Sequence, residues 1–259
     1  MDLGLSGKVV LIAGGTKGIG LACAQAFLLE GAKVAITSRE AANISAARMK
    51  LGNAVIGIPA DLTNAQQAAA TVAEVERELG PIAILVNSAG AAKRMAPADL
   101  TPAAWRAAMD AKYFTAINLI DPVIKAMAAR GDGVIVNVIG NGGKAANAAH
   151  VPGGAANAAL MLATAGLGAA YAPRGVRVVG VNPGTTNTGR VAQGMQANAK
   201  VDGISPDEAL RRTIARIPLG RMAEPEEIAA AVVFLASGKA SYITGVTLTM
   251  DGAAAPFVV

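Results

Sequence analysis

The stretch Val9-Val10-Leu11-Ile12-Ala13-Gly14-Gly15-Thr16-Lys17-Gly18-Ile19-Gly20-Leu21 constrains the fold more than any other part of the chain. An apolar run long enough for one buried strand leads into a glycine-rich turn, and helical apolar spacing follows through Ala22, Ala26 and Phe27. Glycine at 14, 18 and 20 lets the backbone take positive φ and lets a ligand or a neighbouring element approach without an intervening Cβ. The free N–H groups in the first turn of the following helix make an anion site suited to a pyrophosphate. The spacing is G-x-x-x-G-x-G, and alone it also fits a tight connection that holds no ligand.

Strand and helix patterns alternate from there to the end. Strands are predicted at 33–37, 55–60, 82–87, 133–139, 175–181 and 246–250, and helices at 63–78, 101–129, 206–216 and 225–236, with an uncharged helix near 154–171. With the first, seven near-continuous apolar strands separated by helices predict an α/β fold built on a doubly wound parallel sheet, as a single domain over 1–259. Ligands of such sheets sit beyond the carboxyl ends of the strands, where Gly14 to Gly20, Arg39, Asp61, Asn87 to Gly90 and Pro183-Gly184 all fall.

Composition removes several classes of function. With 259 residues, 53% of them hydrophobic, the chain can bury a sizeable core. The net charge of +5 invites nucleic acid, but Lys and Arg are scattered, with only the pairs Lys93-Arg94 and Arg211-Arg212 adjacent, and aromatics are 3%, so the surface reads as solvated and tolerant of anionic ligands. The lone Cys23 falls on the apolar face of the first helix and reads as a core residue of a cytoplasmic protein. The N-terminal residues lack the basic start and apolar middle of a signal peptide. The uncharged run from Ala145 to Pro173 is broken by Asn147, His150, Pro152 and Asn157, which favours a buried or interface helix over a membrane span. No metal site, nucleic-acid partner or membrane partner is expected; a small-molecule substrate is.

Ala-Gly-Gly-Thr-Lys-Gly-Ile-Gly at 13–20, Asp61-Leu62, Asn87-Ser88-Ala89-Gly90, Pro183-Gly184 and the closing Ser241-Tyr242-Ile243-Thr244-Gly245 with Asp251-Gly252 resemble the short-chain dehydrogenase/reductase family from about Leu5 onward. The resemblance implies a Rossmann-type fold, NAD or NADP as cofactor, and a homo-oligomer, tetramer or dimer. By motif it assigns Gly14, Thr16, Lys17, Gly18, Ile19 and Gly20 to the pyrophosphate and adenosine ribose and Asp61 and Leu62 to the adenine. Asn87, Ala89 and Gly90 go to the ribose side, and Pro183, Gly184, Thr186 and Thr188 to the nicotinamide side. Charge chooses between the cofactors: the second strand ends Thr37-Ser38-Arg39 with no acid before Glu40, and Lys17 lies in the glycine turn. Two cations and a hydroxyl converging on a 2′-phosphate favour NADP.

The family's catalytic pattern, an asparagine, a serine, a tyrosine and a lysine, implies Lys112, Gly140, Gly153 and Asn157 at those places, so the usual proton donor is missing. Four residues are candidates to replace it. His150, the only histidine, stands three residues before Gly153 and titrates near neutrality. Lys112 is the second choice, as a cation or as an acid with a lowered pKa. Asn141 and Lys144, in the Gly/Asn-rich loop, are placed to bind a carboxylate or carbonyl. Tyr171 and Tyr242 read as packing residues. The glycines 140, 142, 143, 153 and 154 suggest an uncharged pocket for a bulky substrate. The leading function is an NADP-dependent oxidoreductase acting on a carbonyl or alcohol with a non-standard active site; a lyase-like enzyme on the same fold and a catalytically silent NADP-binding partner are the alternatives.

Overall fold

The structure is a computed structural model describing residues 2–90 and 92–256. Its centre is one parallel sheet of β1 (Val9–Ala13), β2 (Lys33–Ser38), β3 (Ile56–Pro59), β4 (Ile82–Asn87), β5 (Gly133–Val138), β6 (Val176–Pro183) and β7 (Thr247–Met250), in the order β3-β2-β1-β4-β5-β6-β7. The order reverses between β1 and β4, which opens a crevice at the carboxyl ends of those two strands.

Helices cover both faces: α1 (Gly18–Leu29), α2 (Ala41–Leu51), α3 (Ala65–Leu79), α4 (Pro102–Met109), α5 (Thr115–Arg130), α6 (Val151–Tyr171), α7 (Val191–Asp202), α8 (Pro206–Ala215) and α9 (Pro225–Ala236). Strand residues alternate between the two layers. Val10 and Ile12 of β1 meet Cys23 and Phe27 of α1 and Ile228 and Val232 of α9. Val9, Leu11 and Ala13 join the other layer, with Val72 of α3, Leu119 and Ile124 of α5 and Leu160 of α6. Cys23 is wholly buried, and burial pushes its thiol up to about 12, so it is an unreactive core residue. A buried polar chain ties three elements together. Asn87 Nδ2 donates to Asn137 Oδ1 at 2.8 Å, Asn137 Nδ2 to Thr164 Oγ1 at 2.9 Å, and the Thr164 hydroxyl to the Leu160 carbonyl at 2.7 Å.

The predicted strands and the late helices are present within one or two residues of their expected ends, with four departures. Helices α2 and α7 are not predicted: in α2 the apolar residues are spread around the helix with no one-sided stripe, and α7 carries Gly194 in its interior. The single helix expected over 101–129 is split by a π-helical turn, Asp110–Phe114, whose wider winding is closed by the Thr115 hydroxyl donating to the Asp110 carbonyl at 2.9 Å. Tyr171 packs against the core as expected, but Tyr242 is fully exposed and packs nothing. The segment 148–174 containing α6 is long and apolar enough by length and composition to cross a membrane, yet Leu160, Thr164 and Gly168 are committed to this domain's own interior, Leu160 against the sheet.

Candidate active site

The glycine turn between β1 and α1 works through close approach. Gly14 has φ +72°, and a Cβ there would lie 2.8 Å from the Ala89 Cα. A Cβ on Gly20 would collide with the Gly14 carbonyl, and one on Gly18, at φ +51°, would lie 3.1 Å from Thr188 Cγ2. The turn is thus pressed between the loop after β4 and the loop after β6. Lys17 caps α1 without a side-chain hydrogen bond, and the helix's first turn holds no acid, which leaves its N–H groups to an external anion.

The other residues assigned to a cofactor fall at the carboxyl ends of β2, β3, β4 and β6. The register Ala13↔Thr37 sets Ser38 and Arg39 beside the glycine turn, and Gly14 N–H points to Thr37 Oγ1 at 3.4 Å. Asp61 is held in its loop by accepting from the Thr63 N–H and hydroxyl. Asn118, on α5, fastens Leu62 and Thr63 by donating to both carbonyls, at 3.0 and 3.1 Å. Asn87 keeps a buried Oδ1 without a partner. Gly90, at φ +108°, touches the Ala111 carbonyl and accepts from Arg190 at 3.0 Å. Thr186 is buried against Gly184. A cradle that any Cβ would fill, free helix N–H groups and an orphaned amide oxygen fit a dinucleotide.

A second group of polar side chains lies beyond Gly90. The π-helical turn carries Lys112, whose Nζ donates to the Ile139 carbonyl at 3.3 Å. Asn157, buried on α6, donates to the next carbonyl, Gly140, at 3.3 Å. The His150 ring occupies the space where a side chain at Gly153 would begin: a Cβ there would overlap its Cε1 and lie 2.8 Å from its Nδ1. His150 Nδ1 and Asn157 Oδ1 are both buried without partners. Lys112, His150 and Asn157 therefore surround Gly140 and Gly153, the positions that the resemblance assigns to the serine and tyrosine.

The electrostatics reverse the expected order of acids. Burial, with Arg94 and Lys112 nearby, pushes the His150 imidazole from 6.5 down to about 4, so it is neutral at pH 7 and does not titrate near neutrality as its type suggests. Burial, with Arg190 and Arg94 adding like charge, lowers the Lys112 ammonium from 10.5 to about 8. Lys112 is thus the group that changes charge close to neutrality.

Asn141 and Lys144 lie apart from this group: Asn141 Nδ2 donates to Asp251 Oδ2 at 2.7 Å and Lys144 Nζ to Thr249 Oγ1 at 3.3 Å, tying their loop to the end of β7. The expected uncharged pocket is also corrected. His150 fills the space over Gly153, Met161 Sδ that beside Gly143, and the Gly142 carbonyl that over Gly154, while the cations Lys112, Arg94 and Arg190 stand nearby. These glycines serve close backbone packing of the loop on α6. Sequence reasoning missed Arg94 and Arg190; both follow the carboxyl end of a strand, β4 and β6, and that placement was the available signal. Among the described residues no cluster of His, Cys, Asp and Glu is arranged to hold a metal.

This architecture is that of a nucleotide-binding oxidoreductase. A family model described as enoyl-(acyl carrier protein) reductase matches residues 13–253, and the chain belongs to the short-chain dehydrogenase/reductase family. It is 38% identical over 255 residues to 2-(S)-hydroxypropyl-CoM dehydrogenase 3 of Xanthobacter autotrophicus, covering 96% of each chain. It is 36% identical to an L-tagatose-forming galactitol 2-dehydrogenase of Cereibacter sphaeroides, covering 96% of this chain and 95% of that one. Among solved structures, a single-residue variant of actinorhodin polyketide ketoreductase with NADPH superposes with a TM-score of 0.93 at 30% identity, over 96% of this chain and 98% of that one. These homologues are oxidoreductases, so the chain is of an enzyme family.

The single histidine makes the site's electrostatics directly measurable. Titrated by NMR of its ring protons, His150 should show a pKa near 4, and Lys112→Met should raise it by removing one like charge. Between pH 6.5 and 4 the unfolded chain binds a proton that folded His150 refuses, so stability should fall as pH drops through that window. A wild-type value at or above 6.5 contradicts the desolvated placement.

Proposed function

We propose that this protein is an NADP(H)-dependent oxidoreductase that interconverts a carbonyl compound and its alcohol, with Lys112 handling the proton. The observation that carries the reading is the Lys112 ammonium bonded to the Ile139 carbonyl, next to Gly140 and within the group formed by His150 and Asn157.

A nicotinamide bound there would supply or accept the hydride. The glycine turn and the first turn of α1 orient the pyrophosphate, and Thr186 and Thr188 line the nicotinamide end. Lys17, Ser38 and Arg39 would receive the 2′-phosphate; Glu40, next in the chain, accepts from Asn43 Nδ2 at 3.3 Å. In reduction, Lys112 gives its proton to the carbonyl oxygen as negative charge develops there, and solvent restores it. Two of its three N–H donors remain after the bond to Ile139. Neutral His150 and Asn157 hold the oxygen by hydrogen bonding. In oxidation the neutral Lys112 amine takes the alcohol proton.

Two experiments test this reading. Lys112→Met should lower NADPH-dependent turnover of a carbonyl panel by about 10² to 10⁴ while leaving NADPH affinity unchanged. Reduction should decline and oxidation rise as pH passes about 8. Unchanged turnover refutes the role of Lys112, and tight NADPH binding without turnover of any carbonyl supports a silent binding partner instead. Calorimetry should find NADPH bound more tightly than NADH. Arg39→Asp should reverse the preference by losing one charge-assisted contact, roughly 1.5 to 3 kcal/mol or about 10- to 100-fold; equal affinities refute the assignment.

The same reading includes a homo-oligomer. Helix α6 exposes Leu162 at 76% beside α4 and the π-helical turn, which expose Trp105 and Phe114. Light scattering should report a dimer or tetramer that Leu162→Glu weakens; a wild-type monomer at micromolar concentration overturns this.

A further inference from the structure

The sequence motifs leave Arg94 unused, and the structure carries it into the site. Its segment is fixed by the Met95 N–H donating to the Ala149 carbonyl at 3.0 Å, so the residue before Met95 stands beside the turn that ends in His150. The Arg94 side chain lies across α7: Nη1 donates to Asn198 Oδ1 at 3.2 Å, and Nε is 3.6 Å from where a Cβ on Gly194 would be. A guanidinium has five N–H donors, so most of its fork remains available. Its charge reaches both Lys112 and His150, lowering the affinity of each for a proton.

No counter-charge accompanies this group. Among the described residues no carboxylate pairs with Arg94, Lys112 or Arg190; Asp99, on the same loop as Arg94, faces Lys200 at 3.7 Å. Arg94 and Arg190 are exposed while Lys112 is half-buried, and like charges gathered around a half-buried ammonium are unfavourable unless an anion joins them. Under the oxidoreductase reading, on which this inference rests, the cofactor's phosphates lie at the Gly14 turn with Lys17 and Arg39, whose charge also acts on Arg190. That leaves Arg94 and Lys112 hydrogen-bonded only to neutral groups, without an anionic partner.

We propose that the substrate is a carbonyl compound or alcohol bearing a terminal oxyanion, and that Arg94, positioned by Asn198, binds that oxyanion while Lys112 and His150 act at the carbonyl. The planar fork suits a carboxylate or sulfonate held through two parallel hydrogen bonds. Neutral analogues then lose the contact that offsets the site's positive charge.

The test is calorimetric titration with two ketoacids, acetoacetate and levulinate, against their methyl esters, on the free and the NADP⁺-saturated protein. At least one ketoacid should bind about 10-fold or more tightly than its ester. Arg94→Gln should abolish that difference, and Arg94→Lys should restore part of it. At pH 8, where Lys112 is about half protonated, binding of the anion should take up as much as roughly half a proton, read from buffers of different ionisation enthalpy. The charged groups facing Lys112 in that measurement are Arg94 and Arg190, with His150 already neutral. Equal binding of acid and ester, no binding of either ketoacid, or a preference that survives Arg94→Gln overturns the proposal. Failure to bind NADPH counts against the oxidoreductase reading alone, because acid and ester are also compared on the free protein.

Discussion

The approach of the β1 turn to the loop after β4 is the constraint on which the rest of the site depends. At Gly14 and Ala89 two backbones meet with no room for a side chain, at the point where the sheet order reverses. That contact fixes the carboxyl end of β1 against that of β4. The helix N-terminus is thereby aimed at the crevice, and Gly90 is brought against Ala111 and Lys112 of the π-helical turn. The buried chain from Asn87 through Asn137 to Thr164 holds the same strand ends to α6. Breaking either bond would leave further buried amide groups unpaired, which makes the relative placement of β4, β5 and α6 hard to change.

The π-helical turn is the second device. An uninterrupted α-helix from 102 onward would rotate residues after Met109 to different azimuths, whereas one wide turn sets Lys112 toward the Ile139 carbonyl. Lys112 and His150 then divide the available chemistry through their environment: burial and neighbouring cations keep the imidazole neutral and bring the ammonium close to a physiological pKa.

The relatives are named for substrates as different as 2-(S)-hydroxypropyl-CoM and galactitol, yet each aligns with this chain over nearly its whole length. The fold therefore says how a nucleotide is held, and the loops after β4, β5 and β6 say what is held beside it. In this chain those loops contribute Arg94, His150 and Arg190, two cations and a neutral imidazole.

The alternation of apolar strands with helices was legible in the order of residues, because a strand buried on both faces must be continuously apolar and a glycine turn must precede a ligand-binding helix. Gly14, Gly18 and Gly20 were recognisable for the same reason: only glycine permits those contacts. Helix α2 was not legible, since its apolar residues form no one-sided stripe, and neither was the break at Asp110, since π and α winding share the same residues. Proximity across the chain was invisible too. That Asn141 turns to Asp251, that the His150 ring takes the space beside Gly153, and that the charge of Arg94 reaches Lys112 all depend on contacts between distant residues or on a loop's path. Sequence determined the strands, the glycine cradle and the residue types at strand ends; the tertiary structure decided which of those residues meet and how their proton affinities shift, because burial and neighbouring charge exist only once the chain has closed on itself.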